Sequence, residues 1–358
     1  MSKQLVLAIN PGSTSTKIAV YDGTNRILEQ SISHSTDELG QFADMMDQYA
    51  FREKHVLEEL EKDNIDLHDI RIIVARGGLL RPVPSGIYRI NETMIDDLRK
   101  GAASTQHASN LGGLIADALA ADIDEAEAFV ADPPVVDEMD EVARLAGHPL
   151  FRRKPIFHAL NQKAIARKHA RETGRPYEEL NLIVGHMGGG ISVAAHRGGR
   201  IIDVNNALDG EGPFSPDRSG TLPMGDMIKL CFSGKYTIKE VKKMMVGKGG
   251  MMAYLGTGDV REVIEKINNG DEEAALVLDA MIYQVAKAVG AMSTVLEGKV
   301  DGIVLTGGIA FNQVVTDKLK KRVETLGQVY IYPGEDEMEA LAMNGLMVLN
   351  GEIEAHEY

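Results

Sequence analysis

Leu182-Ile183-Val184-Gly185-His186-Met187-Gly188-Gly189-Gly190-Ile191-Ser192-Val193-Ala194-Ala195 is an apolar run, a glycine turn and a second apolar run. Residues 182–184 and 191–195 read as strands. Three consecutive glycines raise the entropy lost on folding. Close approach of a ligand accounts for that cost, although a bulge or tight turn has the same composition. Gly198-Gly199 then turns the chain into a third strand over 200–204. The same order opens the chain. Residues 5–9 are apolar, Asn10 to Thr16 is a cluster of small turn residues, 17–21 are apolar, and Asp22-Gly23 is a turn. Two copies of a strand–turn–strand unit, about 175 residues apart, point to two related domains. Chance similarity over so short a stretch is the alternative that these residues alone leave open.

Helical spacing fills the intervals. Phe42, Met45, Met46, Tyr49, Val56, Leu57 and Leu60 form an apolar stripe with one break. Residues 92–120 and 158–173 carry helical patterns. Residues 259–268 read as a short helix capped by Thr257 or Asp259, and 272–296 as a long one. Residues 301–306 read as a strand that ends in Gly307-Gly308 and opens into a helix through Arg322. A last helix covers 337–349. Strands and helices mixed in this way give an α/β protein. A length of 358 residues suits about two domains. The crossover is placed near 148–155, where proline and basic residues replace the helical pattern.

The chain carries 38 Lys and Arg against 53 Asp and Glu, a formal net charge of −15. That balance argues against a broad nucleic-acid face, which needs clustered positive charge. A small cationic pocket is still allowed. With one cysteine, Cys231, no internal disulfide can form. Following Met227, Ile228 and Leu230, Cys231 reads as a small buried hydrophobe. The N-terminus lacks a targeting pattern. Asp279, Gln284 and Lys287 interrupt the apolar 274–296 stretch, which reads as a buried helix and not a membrane span. A soluble cytoplasmic protein is expected, with no nucleic-acid or membrane partner.

Bound phosphate needs converging N–H groups and no obstructing side chain. The turns at 10–16, 186–190 and 306–308 have that composition. The first is not a Walker loop, because no second glycine precedes Lys17 and a strand follows. Each turn alone has an ordinary structural reading. Three of them, each after an apolar strand and so where α/β folds place ligands, read together as a nucleotide cradle.

Asn10-Pro11-Gly12-Ser13-Thr14-Ser15-Thr16-Lys17, Phe157-His158, His186 to Gly190, Asp217-Arg218-Ser219-Gly220, Thr306-Gly307-Gly308-Ile309-Ala310 and Tyr332-Pro333-Gly334-Glu335-Asp336-Glu337 together resemble the acetate and butyrate kinase family. That family lies within the sugar kinase, heat-shock ATPase and actin superfamily, and the resemblance covers essentially the whole chain. Gly189 stands where acetate-type members carry asparagine, and Ala159-Leu160-Asn161 replaces their crossover motif. Arg76-Gly77-Gly78-Leu79-Leu80-Arg81-Pro82 is also closer to the butyrate type. Asn10 replaces the aspartate that usually opens the first turn in sugar kinases, chaperones and actin. The resemblance implies two duplicated actin-like ATPase domains, each a mixed five-stranded sheet flanked by helices on a ribonuclease H-like core. Residues 1–150 would form the first, with a C-terminal helix at about 340–358 packing back on it. Residues 151–339 would form the second, nucleotide-binding domain. Closure on the nucleotide and at least a homodimer are implied too.

The implied reaction is reversible, Mg²⁺-dependent phosphoryl transfer from ATP to butyrate, giving butyryl phosphate and ADP. Isobutyrate or other branched acids are further candidate substrates. An acetate or propionate kinase is the alternative within the class, and an ATP-binding module without transferase activity the alternative outside it. A fatty acid with a pKa near that of Glu, about 4.3, is ionised at neutral pH. The chemistry therefore calls for cations and donors and not for a base. On the family pattern Arg218 stabilises the transition state and Arg76 is a second cation, while Ile73 occupies the aligned position of an acetate kinase arginine. His158 and His186 donate hydrogen bonds, and Asp132 orients Arg218 or the reacting group. Asn10, Gly12, Ser13, Ser15 and Lys17 form the first phosphate site. Gly188, Gly189, Gly190, Gly307 and Gly308 form the others. Asn10 and Glu337 hold Mg²⁺, with Glu335 competing for that role. The plain structural alternatives are an Arg218–Asp217 ion pair, structural histidines and an Asp-Pro turn at Asp132. Leu79, Leu80, Pro82 and Val135 are expected to wall the acyl pocket.

Overall fold

The computed structural model describes residues 4–100 and 108–358. The chain divides into two units, Met1–Val136 with Asp336–Tyr358, and Asp137–Glu335. In the first, β1 (Leu5–Pro11) is buried along its whole length. Such a run is apolar at every position because both faces of the strand are covered. β2 (Ser15–Asp22) pairs antiparallel with β1, and β3 (Asn25–Ser33) antiparallel with β2. On the other side β4 (Ile70–Arg76) runs parallel to β1, and β6 (Glu127–Ala131) parallel to β4. The short strands β5 (Ile87–Arg89) and β12 (His356–Glu357) extend the β6 edge, so the order is β12-β5-β6-β4-β1-β2-β3. β3 is absent from the sequence reading because it is an edge strand, polar and largely exposed.

Two helices cover this sheet. Gly112 of Asn110–Asp122 approaches Ala75 and the Arg76 carbonyl, while Gly345 of Glu337–Leu349 approaches Val6, Ile72 and Val74. Alternate strand residues point to opposite faces, so the helices lie on opposite sides. The helical pattern at 92–120 resolves into Glu92–Lys100 and Asn110–Asp122, and its 101–107 stretch lies outside the described residues. The stripe from Phe42 breaks at a 3₁₀ turn, Met45–Gln48, before the helix Tyr49–Lys62.

The second unit repeats the connection pattern. β7 (Leu182–Met187), β8 (Ile191–Arg197) and β9 (Arg200–Val204) form an antiparallel meander. β10 (Gly302–Gly307) lies parallel to β7, and β11 (Val329–Pro333) parallel to β10. The order β11-β10-β7-β8-β9 matches β6-β4-β1-β2-β3 strand for strand. Each unit is thus a mixed five-stranded sheet of the same topology, enlarged in the first by β5 and β12. Ala166 and Ala170 of the helix Ala159–Thr173 pack with Leu182, Val184 and Val304. Val277, Leu278 and Met281 of Glu272–Val295 pack with Ile183, Val193, Ile303 and Leu305. That helix is long and apolar enough to cross a membrane by length and composition, but its apolar stripe is the core of this unit.

Three expectations are corrected. Cys231 is exposed, because the helix Met224–Cys231 buries none of its residues; apolar neighbours in sequence did not mean burial. Pro82 is exposed, whereas Leu79, Leu80 and Val135 are buried. The strand β10 does not open directly into a long helix. A 3₁₀ turn, Gly308–Phe311, intervenes, and Asn312 caps Gln313–Val323.

Three buried histidines resist protonation. Burial, Arg52 and His55 push His34 down to about 4, and burial lowers His169 and His196. Below the ordinary value of 6.5 the unfolded chain takes up protons that the folded chain refuses. Stability present above pH 6.5 is therefore lost as pH falls below it, and for His34 the loss runs on towards pH 4 at up to about 1.4 kcal/mol per pH unit. The melting temperature should drop over that window, and His34→Gln should drop less steeply. Parallel curves for the two proteins would remove His34 from this account.

Candidate functional site

In the first unit the β1–β2 turn closes with Gly12 N donating to Ser15 O at 2.7 Å. The carbonyls of this turn sit over a buried cation. Arg52, fully buried on Tyr49–Lys62, donates through Nη1 to Gly12 O (2.9 Å) and Ser15 O (3.0 Å) and through Nη2 to Ser13 O (2.9 Å). Gln48 accepts from the same guanidinium. Five N–H donors in a rigid fork suit this task. Sequence reading missed Arg52. Its signal was its place on the apolar stripe, three residues after Tyr49 and four before Val56, where a charged side chain has no reason to sit unless it has buried partners.

At the C-terminal ends of β1 and β4 three expected residues meet. Arg76 Nη1 lies 2.9 Å from Glu337 Oε1, and Asn10 Nδ2 donates to Glu337 Oε2. Glu337 opens the last helix, where the dipole favours a negative charge. Ser13 and Lys17 are exposed and Ser15 is half-buried. Asp132 follows β6 with a left-handed φ of 38°, a backbone state that costs a non-glycine residue about 1 kcal/mol or more. Its carboxylate accepts from Ser85 Oγ (2.6 Å) and Gly86 N (2.9 Å), which fixes the segment leading into β5.

The second unit gathers the other set. His186 is buried at the end of β7, with Nε2 3.2 Å from Glu335 Oε1. Glu335 and Glu337 therefore sit in different units, and Asn10 has Glu337 as its partner. The ring of His158 stacks on His186, with centroids 4.1 Å apart and planes 25° from parallel. The glycine turn closes with Gly188 N donating to Gly190 O at 3.0 Å, as the first turn closes from Gly12. Arg218 lies across it: a Cβ on Gly190 would overlap the guanidinium. Arg218 Nη1 donates to Ala207 O at 2.6 Å, and Ser215 Oγ donates to Gly189 O at 2.5 Å. Asp217 Oδ1 stands 3.7 Å from Arg218 Nε, and burial pushes the Asp217 carboxyl upward. Gly307 has a φ of 92°, and a Cβ there would strike the Met187 backbone, whereas Gly308 has open space. The third turn is thereby pressed against the second.

Among the described residues no cluster of three or more His, Cys, Asp or Glu side chains forms a metal cage. The Asn10–Glu337 pair fits a different kind of cation site. Its nearly buried carboxylate already meets Arg76 at one oxygen and the Asn10 amide at the other, so an ion there would be held through its own waters and not by direct bonds.

The acetokinase family pattern matches residues 144–345. Over 353 residues the chain is 52% identical to butyrate kinase 1 of Clostridium acetobutylicum, with 99% of each chain covered. It is also 52% identical to a probable butyrate kinase of Bacteroides thetaiotaomicron, again with 99% of each covered. The fold matches the crystal structure of Porphyromonas gingivalis acetate kinase with a TM-score of 0.81, at 20% identity, covering 97% of this chain and all of that one.

The buried guanidinium yields a stability test. Arg52→Met removes the donor for three turn carbonyls and should destabilise the protein by about 3 kcal/mol or more. Arg52→Lys keeps the charge but not the fork, and should fall between Met and the parent. Unchanged denaturant midpoints in both variants would show that the turn does not depend on Arg52.

Proposed function

The chain belongs to the acetokinase family, and from that membership we propose a carboxylate kinase that moves a phosphoryl group reversibly between ATP and a short-chain fatty acid, with butyrate the leading substrate. Identity of 52% to butyrate kinases along the whole chain supports butyrate over acetate. Within the protein, the observation that carries the reading is Arg218 laid across Gly190.

One carboxylate oxygen of the acid attacks the γ-phosphorus. The O–P bond to the acid forms as the bond to the bridging oxygen of ADP breaks, and no proton moves because both partners are anions. What must be supplied is alignment and compensation of charge on the equatorial oxygens. Gly190 has no side chain, so the Arg218 guanidinium reaches the level of the turn that would bind the phosphates. His158 and His186 add donors from the same unit. Drawn by its carbonyls onto Arg52, the first turn offers its opposite side to phosphate, and Ser13, Ser15 and Lys17 lie along it. Arg76 holds Glu337 in place. Mg²⁺, when bound at Asn10 and Glu337 through its waters, would neutralise part of the phosphate charge. Leu79, Leu80 and Val135 are buried, and in this reading they would wall the acyl chain. Branching moves one methyl group without changing the carbon count, and a group of that size discriminates by only about 1–3 kcal/mol, so isobutyrate and butyrate should both be used.

Acyl hydroxamate formation from ATP, Mg²⁺, hydroxylamine and each of acetate, propionate, butyrate and isobutyrate tests the assignment. The C4 acids should give the highest kcat/KM. A preference for acetate would make the protein an acetate kinase, and no product with any acid would leave only an ATP-binding module. Arg218→Ala should lower kcat about 10²-fold or more while the fold survives; near-parental turnover would strip Arg218 of its role.

A further inference from the structure

Behind His158 runs a chain of buried polar side chains that the reaction above does not use. His158 Nδ1 is 3.1 Å from Ser192 Oγ. Gln162 Nε2 is 3.1 Å from the same Oγ. Gln162 Oε1 is 3.0 Å from His196 Nε2, and His196 Nδ1 is 2.8 Å from Tyr177 Oη. Ser192, Gln162 and His196 are completely buried, and Tyr177 nearly so. Lys163 stands beside them with its ammonium 5.7 Å from the Tyr177 ring centroid. It is itself paired with Glu138 at 2.6 Å and bonded to Gly199 O at 2.8 Å.

The direction of every bond in this chain follows from which atoms can donate. Gln162 Nε2 faces two carbonyls, Val184 O at 3.3 Å and Ser192 O at 3.1 Å. Carbonyls only accept, so the amide nitrogen belongs on that side and Oε1 faces His196. Oε1 only accepts, so His196 Nε2 carries a proton. Complete burial and the nearby Lys163 cation hold His196 well below its ordinary value, and the ring is therefore neutral. A neutral imidazole has one N–H, so Nδ1 accepts and Tyr177 donates to it. At the other end, Gln162 Nε2 has no lone pair to offer Ser192. If the Ser192 hydroxyl pointed away from His158, its proton would be buried with nothing to receive it, which a buried donor does not tolerate cheaply. The hydroxyl therefore donates to His158 Nδ1.

We propose that Ser192, Gln162 and His196 act as positioning residues that fix the His158 proton on Nε2, so that His158 is held as a hydrogen-bond donor. The whole relay points one way: Tyr177 to His196, His196 to Gln162, Gln162 to Ser192, Ser192 to His158. Gln162 is its keystone, because the Val184 and Ser192 carbonyls forbid the flipped amide that would reverse it. A His158 ring with its proton on Nδ1 would present a lone pair on Nε2, and a lone pair repels a phosphoryl oxygen. The catalytic consequence rests on the donor role given to His158 under the proposed function; the tautomer itself does not.

The test is a long-range ¹H–¹⁵N spectrum of the full chain labelled with ¹⁵N-histidine, at a pH where His158 is neutral. His158→Gln identifies its signals by their loss. In the parent protein Nε2 should resonate as a protonated nitrogen and Nδ1 as an unprotonated one. Ser192→Ala and Gln162→Leu should convert this to averaged signals of both tautomers, and Ser192→Thr, which keeps the hydroxyl, should restore the parent pattern. In the hydroxamate assay Ser192→Ala and Gln162→Leu should lose about ten-fold or more in kcat, with the KM for ATP changed less than about three-fold. A parent spectrum with the proton on Nδ1 overturns the proposal, even if neither Ser192→Ala nor Gln162→Leu folds. So does a His158 tautomer that Ser192→Ala leaves untouched. Absence of acyl phosphate formation by the parent protein would overturn the functional reading instead, and the spectrum would still decide the relay.

Discussion

A turn between two buried strands must find partners for its own backbone, since an unpaired carbonyl out of water costs about 1–3 kcal/mol. Everything around the two candidate phosphate turns follows from how that demand is met. In the first unit the answer is a buried cation. Arg52 gathers the carbonyls of Gly12, Ser13 and Ser15, and the price is an arginine with no exposed surface. In the second unit the partners are different. Gly188 bonds across to Gly190, and Ser215 from the 213–220 loop supplies the Gly189 carbonyl. That loop also carries Arg218, so satisfying the turn and delivering the guanidinium are one structural event.

The repeated topology makes this divergence legible. β1-β2-β3 with β4 and β6, and β7-β8-β9 with β10 and β11, are the same sheet built twice. Equivalent strand ends carry different chemistry. β1 ends at Asn10, which binds the Glu337 carboxylate, and β7 reaches His186, which pairs with Glu335. A duplicated scaffold preserves the places where side chains can converge and lets each copy choose its own.

Strands with both faces covered were readable because burial on both sides makes every position apolar, as in residues 5–9 and 182–184. The glycine turns were readable because only glycine tolerates Arg218 against Gly190 or the Met187 backbone against Gly307. What stayed hidden depends on partners far away in sequence. β3 has no apolar run, so only its pairing with β2 defines it. Cys231 shares its local pattern with core helices, and nothing local says that its helix is left uncovered. Arg52, Gln162 and His196 look like ordinary polar residues until carbonyls from other elements are brought onto them. Periodicity reports which face is buried, but not which polar groups will be waiting there.

That limit explains why the two arginines singled out from sequence motifs differ once folded. Arg76 is 2.9 Å from a carboxylate that Asn10 also holds, so much of its field is spent within its own unit, and moving it would disturb Glu337. Arg218 is seated by a carbonyl and by contact with a glycine, with Asp217 offset at 3.7 Å and its carboxyl pushed toward the neutral form by burial. A guanidinium placed by backbone keeps its position when the charge beside it changes, which is what the role proposed for Arg218 would ask of it. The net charge of −15 bears on that proposal. In a chain that repels anions overall, attraction must be local and short-ranged, because at physiological ionic strength fields between exposed charges fade within about 8 Å. A cation fixed against the turn itself, and not scattered over the surface, is the arrangement that such a chain requires.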